Sequence, residues 1–255
     1  MLRAVDLVAA EDTRVTGKLL GHFGLAKSLL SVREHNEKAG AQKIIEALGR
    51  GQSVALVTDA GTPAVSDPGA HVVAAVRAAG FRAVPIPGAS AVVAALSASG
   101  LVSPHFLYYG FLPARRGERR GALEAVRDLP YALVFYEAPH RIRETVADLA
   151  AVLGEARTLV IARELTKVFE QIHACGLGEA LAWLEADANR ERGEFVLIVS
   201  GAEAVDATDA EARRVLEILL RELPVSQAAK LAAEISGGKK KVLYELALKL
   251  KNADQ

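Results

Sequence analysis

Residues 53–69 constrain the fold of this chain more than any other stretch. Residues 53–58 are apolar and rich in β-branched side chains, which predicts a strand. Residues 59–69 then concentrate glycine, proline, serine, threonine and aspartate, a composition typical of a long, shaped loop. Helical spacing of apolar residues follows Pro68 and ends near Gly80. Ligands bind at such strand ends in an open α/β sheet, so we expect a ligand loop here, although glycine and proline could also serve only to shape the turn.

Composition predicts a folded protein in a reducing compartment. Hydrophobic residues make up 51% and charged residues 24% of the 255 residues, which is enough for a core and too balanced for disorder. The formal net charge is zero, so nucleic-acid binding would have to rest on local basic patches. The single cysteine, Cys175, excludes an internal disulfide. No membrane-length apolar stretch and no signal peptide is recognisable, so we expect a cytoplasmic location and no membrane partner.

Polar clusters follow the first two predicted strands. Residues 4–10 form a short apolar run, and the acidic and basic side chains of residues 11–14 come directly after it. Residues 31–36 repeat the pattern and end in residues 34–36, which include His35. A helix cap would explain the first cluster equally well, and a lone histidine is usually structural. Both a structural and a functional role therefore stay open at each of these strand ends.

A second loop of small residues follows a further predicted strand at residues 83–86. Pro-Gly-Ala-Ser at 87–90 opens a helix whose free backbone N–H groups, beside the Ser90 hydroxyl, suit a carboxylate or phosphate. The same residues would also serve as a plain helix cap. Strand and helix thus alternate through the first hundred residues, which predicts a parallel sheet with its loops on one side.

The second half repeats the α/β pattern and then becomes helical. Strands are predicted at residues 106–111, 133–136, 158–162, 169–174 and 195–199, the fourth of them antiparallel. From residue 209 onward only helical spacing remains, and a helix-turn-helix is one possible arrangement. The pattern predicts α/β domains at residues 1–103 and 104–202 and a small basic helical appendage at residues 203–255.

Two basic segments lie outside the predicted core. One follows the strand at residues 106–111 and contains Arg115, Arg116, Arg119 and Arg120, and the other contains Lys239, Lys240 and Lys241 between two terminal helices. Such runs usually form a solvated face. Beside proline and glycine, however, the arginines also suit a phosphate clamp, and we favour that hypothesis.

Six short motifs occur in order along the chain: AAEDTR at 9–14, EHN at 34–36, TDAGTPAVSDPG at 58–69, PGASA at 87–91, YEAPHR at 136–141 and ARELTK at 162–167. Together with the basic terminal helices they resemble the small-subunit ribosomal RNA methyltransferases of the tetrapyrrole methylase superfamily. The resemblance implies a class III methyltransferase, a homodimer in which two unlike α/β domains hold S-adenosylmethionine in the cleft between them. It further implies that the enzyme methylates the ribose 2′-OH of a cytidine in the decoding centre of 16S rRNA, within the small ribosomal subunit.

The resemblance also implies residue roles. Cofactor contacts, mostly through the backbone, are expected from the small-residue loops and from strand ends of the second domain: Gly61, Thr62, Pro63, Val65, Ser66, Ala89, Ser90, Tyr136, Glu137, Ala162, Arg163 and Phe195. The residues themselves, rather than the resemblance, predict substrate contacts at polar strand ends and in the basic segments: Arg14, His35, Asn36, Arg115, Arg116, Arg119, Arg120, Arg141, Lys239, Lys240 and Lys241.

The chain departs from the family at its start. Family members carry a strand and a loop of the type TPIGN before the helix that leads into the first motif, whereas this sequence begins within that helix, at Met1-Leu2-Arg3. We therefore expect the first sheet to lack an interior strand and part of the cofactor floor, through either a misplaced start or an impaired copy.

Methyl transfer to a ribose hydroxyl requires in-line alignment and is helped by a base. Asp59, Glu137, Glu164 and Lys167 are the candidates for that base. No metal is expected, because the histidines and the cysteine are too scattered to form a site. The alternatives are methylation of a tetrapyrrole or a protein, an RNA-binding assembly factor without catalysis, and a nicotinamide dehydrogenase. The basic segments disfavour a tetrapyrrole substrate, and the lack of GxGxxG after a strand disfavours the dehydrogenase.

Overall fold

Short apolar strands alternating with helices build two separate sheets. A computed structural model describes residues 1–202 and 207–253 of the chain. It divides into two compact units, the first formed by residues 1–125 with 132–200 and the second by residues 126–131 with 201–255. Both sheets belong to the first unit, and the second unit is helical. No helix among the described residues has the length and apolar character needed to cross a membrane.

The first sheet is parallel and is built from short strands, each followed by a helix. Its elements are β1 (Leu7–Ala10), α1 (Thr13–His22), β2 (Ser28–Ser31), α2 (Glu37–Gly49), β3 (Val54–Val57), α3 (Ala70–Ala78) and α4 (Ala91–Ala98). The strand order is β2-β1-β3, and α1 and α2 provide the crossover connections that parallel strands require. The parallel sheet predicted from the alternating pattern is confirmed.

The second sheet is mixed and has the order β4-β5-β8-β6-β7. Strands β4 and β5 run parallel, β8 is antiparallel to β5 and β6, and β7 is antiparallel to β6, which confirms the predicted antiparallel strand. The elements are β4 (Phe106–Phe111), α5 (Arg116–Val126), β5 (Ala132–Glu137), α6 (Ile142–Leu153), β6 (Thr158–Arg163), β7 (Gln171–Gly176), α7 (Leu177–Glu185) and β8 (Phe195–Val199).

Each sheet of the first unit has its own apolar core. Between β1 and the helices α2 and α3, residues such as Ala9, Ile44 and Val72 form one core. Helix α4 follows the first sheet in sequence, yet Val92 and Ala95 pack against the second sheet in another core. Helix α4 therefore fixes the loop at residues 87–90, directly before it, next to the second sheet.

Two sequence-based predictions about strands differ from the structure. Residues 83–86 were expected to form a strand, but no strand is present there, and Val84 and Ile86 are each 54% exposed. Among the described residues no neighbouring strand pairs with this segment, and an extended segment becomes a strand only through such pairing. The second strand lies at Ser28–Ser31 and so ends where the short strand at the start of residues 31–36 was expected to begin, while Glu34–Asn36 forms a 3-10 turn in the segment expected to be a loop.

The second unit is built on helices, as the spacing after residue 209 predicts. Its helices are α8 (Ala207–Leu219), α9 (Val225–Ser236) and α10 (Lys240–Ala253). Small alanine side chains at positions 212, 228, 229 and 232 allow the helices to approach closely around Leu216 and Leu243. Gly237 ends α9 in the left-handed conformation at φ 72°, the usual helix stop, and the basic residues 239–241 follow.

Candidate active site

The carboxyl ends of the first sheet enclose an open cavity of about 340 Å³. Because parallel strands end at the same edge, the polar residues after β1, β2 and β3 meet there. The lining residues are Glu11, Asp12, Arg33, Glu34, His35, Asp59, Ser66, Asp67 and Pro68. The structure thus brings together the predicted site residues His35, Asp59 and Ser66, with further carboxylates that the sequence analysis did not select.

Reciprocal hydrogen bonds hold the ends of β1 and β3 together. The backbone N–H of Asp12 donates to Asp59 Oδ1 at 3.2 Å, and the backbone N–H of Asp59 donates to Glu11 Oε2 at 3.2 Å. Charged carboxylates accept stronger hydrogen bonds from N–H groups than neutral oxygens do. This exchange therefore fixes the acidic side of the cavity.

Asp12 and Arg14 form a local ion pair at the start of α1. Asp12 caps the helix by accepting from Arg14 N at 2.8 Å, and its Oδ2 lies 2.5 Å from Arg14 Nη2. The side-chain hydrogen bond from Arg14 is the main reason that the pKa of Asp12 lies well below its usual range. Most of the Arg14 side chain is exposed, so its guanidinium can contact a ligand from the cavity rim.

In the turn after β2, one polar side chain stabilises the turn and others line the cavity. Asn36 Oδ1 accepts from Arg33 N at 2.7 Å, so this predicted substrate residue closes the turn. His35 is exposed and lines the cavity. Arg33 reaches across the rim, with Nη2 3.7 Å from Asp12 Oδ2.

Asp67 differs from the other carboxylates of the cavity. It is half-buried, and no hydrogen bond or ion pair to its carboxylate is found within residues 1–202 and 207–253. Burial, followed by the charges of Glu11 and Asp59, raises the pKa of Asp67 to about 6. From sequence alone, Asp67 is predicted only as a turn former. Its place in the motif at residues 58–69 was the one available signal for a functional role.

The β3–α3 loop is held in an unusual shape by contacts at both ends. Ala64 and Ser66 adopt positive φ angles of 69° and 59°, which are rare for residues other than glycine and cluster at functional sites. The buried Glu37 carboxylate accepts a hydrogen bond from Gly69 N. Thr62 Oγ1 donates to the carbonyl of Ala89 at 3.0 Å and so connects the two predicted cofactor loops.

The same loop contacts the second sheet. Ser66 Oγ and the Tyr108 hydroxyl are 2.5 Å apart. Gly110, at φ 85°, lies where an added Cβ would be 3.1 Å from Ser66 Oγ, so glycine permits this close approach. The Tyr136 ring packs edge-on against Tyr108, with ring centroids 5.2 Å apart. Burial is the main reason that the pKa of Tyr136 rises to about 12. An aromatic wall therefore faces the loop.

Several predicted cofactor residues are buried at the edge of the second sheet. Glu137 is 2% exposed and accepts hydrogen bonds from Ala138 N at 2.7 Å and Thr145 Oγ1 at 2.5 Å. Ala162 and Phe195 are core residues. Arg163 Nη1 donates to the carbonyls of Asn189 and Arg192, at 2.8 and 3.1 Å. These side chains support the strand ends and present no open surface to a ligand.

Arg141 is likewise engaged by its own chain. Its Nη2 donates to the carbonyls of Leu112 and Pro113 at 2.6 and 3.2 Å, and its Nε lies 3.3 Å from Glu137 Oε1. Arg141 therefore holds the loop after β4 in place through Nη2, while its buried Nε makes an ion-pair contact with Glu137 but no hydrogen bond.

Glu164 and Lys167 form an ion pair after β6. Lys167 Nζ lies 2.8 Å from Glu164 Oε1 and 2.9 Å from Glu194 Oε2. The Lys167 hydrogen bond is the main cause of a lowered Glu164 pKa, and the same bond raises the pKa of Lys167. Lys167 is therefore protonated near neutral pH and Glu164 is a weaker base than usual. Neither group fits a proton acceptor well.

The arginines of the first basic segment have two different environments. Arg119 is 1% exposed, its Nε donates to Asp148 Oδ2 at 2.8 Å and its Nη2 lies 3.2 Å from Glu144 Oε2. It is a buried structural residue, which corrects its predicted role as a phosphate contact. Arg116 and Arg120 also reach Asp148, at 3.3 and 3.2 Å, but their side chains remain 71% and 40% exposed. Arg115 is exposed as well, beside Glu118.

The second basic segment lies on the helical unit. Lys239, Lys240 and Lys241 are exposed on the second unit, in the turn before α10 and its first residues. Across the described part of the chain, no cluster of histidine, cysteine and acidic residues is arranged to hold a metal ion.

A family model that covers most of the chain assigns this fold, with its polar strand ends, to the tetrapyrrole methylases. The family model of Tetrapyrrole (Corrin/Porphyrin) Methylases matches residues 1–181. The solved methyltransferase CobJ has a TM-score of 0.54 at 19% identity, covering 77% of this chain and 93% of that chain. Uroporphyrin-III C-methyl transferase from Thermus thermophilus, solved with S-adenyl homocysteine, has a TM-score of 0.53 at 15% identity, covering 78% and 87%.

Sequence relatives narrow the class further. Ribosomal RNA small subunit methyltransferase I of Escherichia coli O157:H7 is 52% identical over 249 residues, covering 97% of this chain and 87% of the relative. The relative of the same name in Pseudomonas aeruginosa is 49% identical over 251 residues, covering 97% and 89%. The RsmI C-terminal HTH domain model matches residues 206–251. The chain therefore belongs to the ribosomal RNA small subunit methyltransferase I family of the tetrapyrrole methylases.

Proposed function

We propose that the chain is an S-adenosylmethionine-dependent methyltransferase that methylates the ribose 2′-OH of a cytidine in the decoding centre of 16S rRNA. The observation that carries the proposal is the polar cavity at the strand ends, in a chain 52% identical to a relative named as a small-subunit rRNA methyltransferase. Methyl transfer is an in-line displacement, so its main requirement is that the nucleophile, the methyl group and the sulfur are aligned.

The residues around the β3–α3 loop fit S-adenosylmethionine. Gly61, Thr62 and Ser66 are exposed on this loop, and Ser90 leaves its hydroxyl free of a helix-capping bond. Small residues permit close backbone approach to a ligand, and an aromatic wall such as Tyr108 and Tyr136 suits a flat adenine. When bound, the cofactor supplies an electrophilic methyl group. We assign Pro63, Val65 and Ala89 to the same surface.

The protein's own residues orient the reactants and exclude water. The Thr62–Ala89 hydrogen bond joins the two small-residue loops to each other, and the Ser66–Tyr108 hydrogen bond joins the first of them to the second sheet, so the loops are pre-shaped before any ligand arrives. Pre-organisation of this kind reduces the entropy lost on binding. Glu137, Arg141 and Arg163 contribute indirectly, because their hydrogen bonds hold the strand ends of the second sheet in place.

Exposed basic residues would bind the RNA phosphates. Arg115, Arg116 and Arg120 present donors after β4, and the exposed lysines 239–241 do so on the second unit. Phosphate contacts position an enzyme on RNA and make binding sensitive to salt. A tetrapyrrole substrate would not require these residues, which is why we favour RNA. We further infer that the enzyme acts as a cytoplasmic homodimer, for which sedimentation velocity of the purified chain should give the mass of two copies.

Methyl transfer to isolated small ribosomal subunits tests the function directly. We expect the purified chain to move a labelled methyl group from S-adenosylmethionine to 16S rRNA, and mass spectrometry of nuclease fragments to place it on the ribose of one decoding-centre cytidine. Transfer to a tetrapyrrole or to a ribosomal protein, with none to the RNA, would overturn the proposal.

Cofactor binding gives a separate prediction. Replacing Thr62 and Ser90 together with tryptophan should reduce S-adenosylmethionine affinity by at least about tenfold in calorimetry, because both bulky side chains enter the space between the small-residue loops. The control is Ser97→Trp, which adds the same ring at an exposed position of α4. Equal affinity in the double variant and the control would exclude these loops as the cofactor site.

A further inference from the structure

We propose that Asp67 is the general base of the reaction, accepting the proton of the ribose hydroxyl within the cavity at the carboxyl edge of the first sheet. The inference rests on the proposed function and adds a catalytic residue to it. The ribose oxygen forms a bond to the methyl carbon while the carbon–sulfur bond breaks, and that electron pair stays on sulfur as a neutral thioether. The hydroxyl proton moves to an Asp67 carboxylate oxygen and from there to solvent.

The Asp67 carboxylate has no hydrogen-bond or ion-pair partner in the part of the chain that the structure describes. A half-buried carboxylate normally gains a hydrogen bond or an ion pair, because burial without one is unfavourable. Within the described residues Asp67 has neither, although it lines the cavity beside Ser66. A structural aspartate in a turn would instead bond to nearby backbone N–H groups. Its oxygens are therefore available to a ligand in the cavity.

The neighbouring carboxylates of the cavity are already engaged. Asp12 bonds to Arg14, Glu11 accepts from Asp59 N, and Asp59 accepts from Asp12 N. Each of these bonds occupies an acceptor oxygen, and the bond from Arg14 also lowers the pKa of Asp12, which makes that carboxylate a weaker base. Glu34 lines the cavity too, but it is exposed on the 3-10 turn. Glu137, Glu164 and Lys167 are buried or paired, as described above.

The environment of Asp67 also suits proton transfer at neutral pH. Burial and the facing charges raise its pKa to about 6, so the group is a stronger base than an ordinary carboxylate and is still mostly ionised at pH 7. The charged and titratable groups around it come from every neighbouring element: Glu11 and Asp12 after β1, Arg33, Glu34 and His35 after β2, Asp59 after β3 and Tyr136 on β5. A base must lose its proton to act, so the rate should rise with pH through about 6 and then level off.

Asp67→Asn in the full chain provides the test, with single-turnover methyl transfer to small subunits as the readout. General bases typically contribute about 10²- to 10⁴-fold, so we expect a loss in that range, together with loss of the acidic limb of the pH profile. S-adenosylmethionine affinity should be unchanged in calorimetry. Asp67→Glu keeps a carboxylate and should retain part of the rate and the acidic limb.

His35 lines the same cavity, and histidine is the side chain that most often acts as a general base, so it requires its own control. His35→Gln should keep the acidic limb even if it lowers the rate. A second readout does not depend on activity: with aspartate labelled by carbon-13 at the carboxyl carbon, the signal that disappears in Asp67→Asn should titrate near pH 6 in the free protein.

Each outcome separates the inference from the function on which it rests. If the wild-type chain methylates 16S rRNA and Asp67→Asn does so at the same rate, Asp67 is not the base while the proposed function stands. The same holds if His35→Gln, and not Asp67→Asn, removes the acidic limb, or if the labelled carboxyl titrates as an ordinary aspartate. If the wild-type chain leaves the RNA unmethylated, the proposed function fails and the inference fails with it.

Discussion

Replacing Arg119 with alanine is expected to lower the free energy of unfolding by about 3–5 kcal/mol, the usual effect of removing one partner from a buried ion pair. The Asp148 carboxylate is 2% exposed and depends on Arg119 Nε at 2.8 Å for its strongest contact. Without that guanidinium, a buried negative charge remains between α5 and α6, with only the more exposed Arg116 and Arg120 beside it. Urea unfolding followed by circular dichroism measures the change.

Arg115→Ala is the matched control for this prediction. The Arg115 side chain is 85% exposed and its partner Glu118 is exposed too, and surface pairs of this kind contribute less than about 1 kcal/mol. A second variant, Arg119→Met with Asp148→Leu, removes both charges and should recover part of the lost stability, since a buried charge is no longer left alone. Equal stability of Arg119→Ala and Arg115→Ala would contradict the structural role given to Arg119.

The second large effect is expected in RNA binding. Changing Lys239, Lys240 and Lys241 to glutamine should weaken binding to small subunits by on the order of 100-fold at 0.1 M salt. The slope of log affinity against log salt should also flatten by about 2–3, since each phosphate contact to single-stranded RNA contributes about 0.7 and to a duplex about 0.9. S-adenosylmethionine affinity should not change. Filter binding over a salt series measures both quantities.

The loss of three positive charges could weaken RNA binding wherever it occurs. The control variant must therefore lose the same charge at another place on the protein. Lys18, Lys38 and Lys43 are exposed on α1 and α2, and their replacement by glutamine removes an equal charge elsewhere. A flattened slope in the first triple variant and an unchanged slope in the second would locate phosphate contacts at the turn before α10. If both variants keep the slope of the wild type, the lysines 239–241 are an ordinary solvated face.

Local sequence signals predicted most of the fold. Strands such as Val54–Val57 are short apolar runs bounded by turn formers, and the helices have regular apolar spacing, so both were visible without tertiary information. Residues 83–86 carry the same apolar signal, yet no strand forms there. A strand also needs a neighbour to accept its hydrogen bonds, and this requirement cannot be read from the segment itself.

The candidate site was predicted in position but not in detail. Motif spacing placed Asp59 and Ser66 at strand ends, where the cavity lies. Arg116 and Arg119 look equivalent in sequence, and only the packing of α5 against α6 exposes one and buries the other. Asp67 was overlooked for a related reason. Which carboxylate lacks a partner depends on hydrogen bonds between loops far apart in the chain, such as that from Asp12 N to Asp59.

The hydroxyl contact between Ser66 and Tyr108 bears on how such a cleft can evolve. Ser66 belongs to a loop of the first sheet and Tyr108 to a strand of the second, and the left-handed backbone at Ser66 is unfavourable without support. A fragment ending before β4 would keep the whole loop motif at residues 58–69. It would lose Tyr108, whose hydroxyl contacts Ser66 and helps to fix the shape of the loop. The two sheets are therefore expected to evolve together. Exchanging one of them between relatives should require exchanging the other as well.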